Sequence, residues 1–164
     1  MRSPVAMPLA KAEKTELAAG EFTGDGLRTF TKAEFTALGI SQEVFFSTAV
    51  LNAANELRTV RYRFERDRKQ VIAYAAMEST EPIVASAVLA PGFLNLWQQT
   101  LGDTVLVVVP NRFTAYVFPR LASDYLEYSP MVFRAYRDTA WPVSVEVFEV
   151  STDGWLCIGA YTEP

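Results

Sequence analysis

No histidine occurs among the 164 residues, which removes the commonest general base, the usual zinc ligand and every Ser-His or Cys-His nucleophile pair. Chemistry is left to carboxylates, cations, hydroxyls and aromatic rings. Glu78, Glu81, Asp103 and Asp124 are the candidate acid-base or metal carboxylates, yet none stands at a recognised ligand spacing. Glu81 beside Pro82 more simply complements a helix N-terminus, and Asp124 has the same option. Ser79 and Ser86 lack a histidine partner, and a Ser-Lys pair would require Lys69 or Lys32 to meet one of them in space. Cys157 is the sole cysteine and sits among apolar residues of an expected strand, where a small buried side chain fits better than a reactive thiol. The pattern designates no catalytic residue, no metal site and no cofactor. A hydrolase or transferase working through carboxylates or a metal, without histidine, is the enzymatic alternative.

Residues suited to binding are more numerous. Arg58, Arg61, Arg63, Arg66, Arg68 and Lys69 stand against Glu65 and Asp67, a local +4 that leaves −8 for the rest of a chain of net −4. A phosphate backbone could use such a stretch, with Tyr62 and Tyr74 as stacking surfaces. The simpler reading is a solvated or edge-protecting strand face, because Arg61 and Arg63 alternate with Val60, Tyr62 and Phe64. Tyr116, Phe118, Tyr125, Tyr128, Phe133, Tyr136, Trp141 and Trp155 form a dense aromatic set. Most fall on expected core stripes, whereas Tyr128 and Trp141 lie near expected breaks and are the candidates for a partner surface. Asn111 and Arg112, at the expected tip of a hairpin, are candidates on the same ground.

Size and composition set the frame that must hold these residues. A chain of this length buries roughly two thirds of its unfolded surface as one domain. With 50% apolar and 13% aromatic residues it falls outside the disordered range. An excess of 19 acidic over 15 basic residues argues against a general nucleic-acid or anionic-membrane binder. Met1 to Leu9 carries one arginine and is interrupted by Pro4 and Pro8, so no signal-peptide core is expected, and no apolar run approaches membrane-spanning length. A cytoplasmic location is the expectation.

Residues 1–26 show little periodicity and are expected to form a mobile N-terminal arm, with the domain proper over 27–164. Thr31 and Glu34 have capping-box spacing and Gly39 stands at a C-cap, which predicts a helix over 32–38. Ser41 caps a second helix over 42–57, with Val44, Phe45, Thr48, Leu51, Ala54 and Leu57 on its core face. The period then changes to two. Arg58 onward and Val71 to Met77 pair as strands around a polar turn. Thr80 with Pro82 suggests a cap and first turn, so Ile83 to Leu101 reads as a helix kinked at Pro91, or as a strand to Ala90 and a helix from Gly92. Asp103 to Arg120 is the clearest hairpin, its first strand apolar on both faces and Pro110 and Asn111 at the inner turn positions. Leu121, Tyr125, Tyr128, Val132 and Tyr136 follow at helical spacing, with Ser129-Pro130 as a fresh cap. Val143 to Val147 and Trp155 to Tyr161 make a last hairpin around Gly154. The sum is an α+β domain with a mostly antiparallel sheet of about six strands, three hairpins alternating with helices.

The chain resembles the YtpQ-like family of uncharacterised bacterial proteins, specifically the C-terminal portion of its longer members. The resemblance is carried by Leu27-Arg28 leading into Thr31, by Ala49 to Leu57 with Asn52, by Val84 to Leu89 before Leu101, and above all by Gly102 to Phe118 followed by Pro142-Val143-Ser144 and the final hairpin. It implies a helix over 83–101 ahead of the central hairpin. It implies no reaction, cofactor or catalytic residue, and the long N-terminal half of the family has no counterpart here. The functional expectation is therefore a protein-interaction or assembly module, its partner another protein or a second copy, with no membrane and with nucleic acid unlikely except through the Arg58–Lys69 hairpin.

Overall fold

The computed structural model describes residues 5–164. Two short antiparallel ladders come first: β1 (Ala6–Pro8) with β2 (Glu16–Ala18), and β3 (Gly20–Thr23) with β4 (Gly26–Thr29). Val5, Ala19 and Phe30 are buried between them and joined by backbone hydrogen bonds of 2.8–3.0 Å. The boundary expected after residue 26 falls within this second ladder, Gly26 being the first residue of β4. Strands of three or four residues are too short to show alternation in sequence. Helix α1 (Lys32–Ala37) begins with the full capping box of Thr31 and Glu34, and Gly39 adopts φ +69°. Helix α2 (Gln42–Leu57) is capped by the Ser41 hydroxyl, which accepts from the Val44 amide at 3.1 Å. Its expected core face needs correction. Val44 is 52% and Leu51 66% exposed, and Ala53 is the buried residue, because α2 packs on α3 and sets Phe45 against the Val5, Ala19 and Phe30 cluster rather than lying flat on the sheet.

The sheet is six-stranded and antiparallel and is built from the three expected hairpins, the first strand of the last one running over Glu146–Ser151 rather than from Val143 to Val147. They are β5 (Arg61–Arg66) with β6 (Ile72–Glu78), β7 (Val105–Asn111) with β8 (Thr114–Pro119), and β9 (Glu146–Ser151) with β10 (Gly154–Ala160). The spatial order is β10-β9-β7-β8-β6-β5. Every residue of β7 is buried, as a central strand covered on both faces requires. The turn, however, sits two residues later than expected. Pro110 and Asn111 end β7, with an irregular register between Val108 and Asn111, and Arg112-Phe113 make the turn.

One face of the sheet presents Ala75, Met77, Val105, Val107, Val109, Ala115, Val117, Phe148 and Val150. Over them lies the 84–101 segment, whose Val84, Val88, Phe93, Trp97 and Leu101 are buried. This segment is not the helix expected over 83–101. It is a four-residue α3 (Val84–Ala87), turns and a 3₁₀ turn (Leu94–Leu96), because Pro91-Gly92 cannot carry a helix through. No side chain caps α3; the Ser79 hydroxyl accepts from the Glu81 amide instead. The other face presents Leu106, Val108, Phe118 and Val147, covered by Val132 of α4 (Ser129–Arg137) and by Tyr161. A 3₁₀ turn (Tyr125–Tyr128) leads into α4, where Pro130 occupies the first turn without a side-chain cap; the Ser129 hydroxyl donates to the Thr162 carbonyl. Leu121, expected on the helical stripe, is 90% exposed in the preceding loop.

Candidate functional site

A groove of about 660 Å³ opens on the second face where the cover of α4 ends. Its origin lies in three cross-strand neighbours. Arg63 of β5 is opposite Ala76 of β6, which is opposite Tyr116 of β8, and Tyr74 shares their face two residues along β6. The small Ala76 between two long side chains leaves a depression that α4, packed over β7, does not reach. Tyr74, Tyr116 and Tyr128 make the aromatic wall. Met131, Arg134, Ala135 and Asp138 of α4 and its end make the opposite bank, with Thr114, Asn111 and Glu127 at the margins.

The three tyrosines pack edge to face, Tyr74 lying 5.9 Å from Tyr116 and 5.0 Å from Tyr128 between ring centres. Burial raises the pKa of all three phenols above the ordinary tyrosine value, so each is protonated and a hydrogen-bond donor at neutral pH. Among the described residues none of the three hydroxyls has a protein hydrogen-bond partner. Arg63 is held by Glu78 at 2.7 Å and Glu65 at 2.6 Å, and those bonds raise its pKa further. Arg134 is exposed and, among the described residues, has no carboxylate within ion-pair distance. The arrangement offers aromatic surface, hydroxyl donors and a rim of mixed charge, and it holds no nucleophile–base pair.

Of the four expected partner-binding residues, the structure brings two to this groove. Tyr128 contributes a half-buried ring. Asn111 contributes little surface: it is 5% exposed, its Nδ2 donates to the Ala135 carbonyl at 2.7 Å, and its Oδ1 accepts from the Phe113 amide at 2.8 Å. The expectation of a free tip is corrected, since this side chain fastens the β7–β8 turn to α4. Arg112 is half-buried, its pKa lowered by burial, and its backbone bonds the Trp141 carbonyl and the Val84 amide. Trp141 is half-buried against Gly26, whose φ of +124° and whose missing Cβ leave room for the indole. Arg112 and Trp141 thus lie together, away from the groove. Of the basic set, Arg63 borders the groove, whereas Arg58, Arg61, Arg66, Arg68 and Lys69 are exposed along β5 and its ends. Glu78 belongs to the Arg63 pair, and among the described residues no three His, Cys, Asp or Glu side chains gather as a metal site.

Two features escaped the sequence reading. Glu127, Arg134 and Asp138 recur at helical spacing, with Met131 between them, as a polar stripe beside the apolar one. Glu146 alternates with Val145 and Val147 and is a charged residue, yet it is 4% exposed. Its carboxylate accepts from the amides of Glu13 (2.9 Å) and Lys14 (3.2 Å) and from the Thr15 hydroxyl. Burial pushes its pKa up, but these bonds together outweigh burial and hold it below the ordinary carboxylate value. Nothing in the alternation signals a partner so distant in sequence. Comparison of the chain with protein-family models, with curated proteins and with solved structures finds no match.

Proposed function

We propose that the domain is a protein-interaction module that takes a segment of another protein into the tyrosine groove beside α4. The observation carrying this reading is the state of Tyr74, Tyr116 and Tyr128, whose rings are packed while their hydroxyls have no protein partner. Such rings, rigid in body and polar at the tip, are the side chains that dominate binding surfaces. The rim supports a polypeptide over a phosphate chain, because Glu127 and Asp138 would repel the latter. The resemblance to the YtpQ-like family adds no activity to this reading.

Selection of a displayed library of linear peptides on the purified domain tests it. Enriched peptides are expected to share a motif and to lose about tenfold or more in affinity on Tyr128→Ala, as loss of an interface anchor does, with circular dichroism unchanged. Peptides that bind the variant as tightly as the parent would sink the reading. A second copy as occupant would instead show as concentration-dependent dimerisation in sedimentation, abolished by the same substitution.

A further inference from the structure

β5 is a terminal strand of the sheet, paired with β6 on one side. Alternate peptide groups of Arg61–Arg66 therefore face outward with N–H and C=O open to another strand. Charge along this edge is positive on balance: Glu65 of β5 and Glu78 opposite Arg61 share the Arg61 face, and both are engaged by Arg63. Of Arg58, Arg61, Arg63, Arg66, Arg68 and Lys69, only Arg63 has a carboxylate within ion-pair distance among the described residues. Asp67, the neighbouring acid, has its carboxylate engaged by the Lys69 and Val71 amides at 2.8 and 3.0 Å.

This imbalance discriminates between occupants. A second copy would bring the same net positive stretch, Arg58 to Lys69, against this one even where a register sets Glu65 opposite Arg61, whereas an acidic strand would compensate the charge along its whole length. Alternation specifies the rest. Arg61 and Arg63 project on the groove face, while Tyr62, 46% exposed with its ring 5.2 Å from Trp97, projects on the other with Phe64. We propose that the open edge of β5 takes an acidic, extended segment of a partner protein as an added strand, with carboxylates at alternate positions on the side of Arg61 and apolar side chains between them on the side of Tyr62. The inference rests on the interaction-module reading and names the partner's chemistry. A nucleic acid would use the cations but not the peptide groups, so it is a distinct outcome.

The test uses the full chain and a synthetic peptide of alternating glutamate and valine, about ten residues long to span the strand. Amide hydrogen exchange is expected to slow at alternate residues of Arg61–Arg66, and affinity to fall about tenfold or more in an Arg61→Glu, Arg68→Glu double variant, two charge reversals at once. A lysine–valine peptide should not bind, nor should the acidic peptide with proline replacing alternate valines, which keeps the charge and removes strand pairing. Equal binding of the proline peptide, protection at Tyr74 and Tyr116 without protection in β5, or tighter binding of a single-stranded oligonucleotide would each overturn the proposal. Should the acidic peptide fail while library peptides still depend on Tyr128, the edge proposal falls and the module reading stands. The converse result separates them the other way.

Discussion

On one face of the sheet Trp97, Phe93, Met77 and Val105 are shut away by the 84–101 segment, whereas on the other Tyr74, Tyr116 and Tyr128 stop half-buried where α4 ends. The residue types match the difference. The closed face is aliphatic with tryptophan and phenylalanine at its centre; the open one switches to tyrosine at its margin, where a ring can pack and its hydroxyl can meet water. Cover, rather than hydrophobicity, separates the two. A segment with only one short α-helix closes one face fully because its apolar side chains arrive without regular spacing, while the regular α4 covers a strip the width of one helix and leaves β6 and β5 bare beyond it.

Substitutions can break this contrast or sharpen it. Trp97→Ala removes the largest ring of the closed face and should cost about 3–5 kcal/mol, read as a lower denaturation midpoint. A comparably large loss on Tyr116→Ala would erase the distinction between the faces. Glu146→Gln loosens the rim of the closed face by weakening the hold on residues 13–15, at about 1.5–3 kcal/mol for charged hydrogen bonds. Since the folded carboxyl has the lower pKa, this stability is present above the unfolded value of 4.5 and is lost as pH falls below it through the folded value. The gap between parent and variant should therefore be full at neutral pH and close in acid. Cys157, whose amide donates to the Ala10 carbonyl in the same segment, should react faster with a thiol reagent in the variant. Asn111→Ala frees the open face's helix from the β7–β8 turn and should cost about 1–3 kcal/mol, with faster amide exchange in α4. Tyr116→Phe should leave stability within about 0.5 kcal/mol, as a substitution that breaks no protein hydrogen bond, while weakening any peptide bound in the groove.

The elements that could be read from sequence are those whose signals are local. The capping box at Thr31, the positive φ of Gly154 in the last hairpin and the doubly apolar β7 each depend on residues a few positions apart, and each occurs where read. The misreadings involve long-range choices. Asn111 has the composition of an exposed turn, and only the arrival of α4 gives its amide a buried carbonyl. Val44 and Leu51 have helical spacing, but the surface that receives α2 is set by ladders too short to recognise. Of the groove, Tyr128 and Arg63 were legible as candidates, whereas its shape depends on Ala76, a residue with no chemical signal that matters because of what stands on either side of it.

The hold of Glu146 on the N-terminal segment has a consequence for the order in which the protein can be completed. Its carboxylate lies 133 and 132 positions from the amides it binds. During synthesis those amides emerge more than a hundred residues ahead of their partner, so closing this long loop waits on β9 being in place. A nascent chain halted before β9 should therefore display residues 5–18 to proteases, and release of the last hairpin should withdraw them.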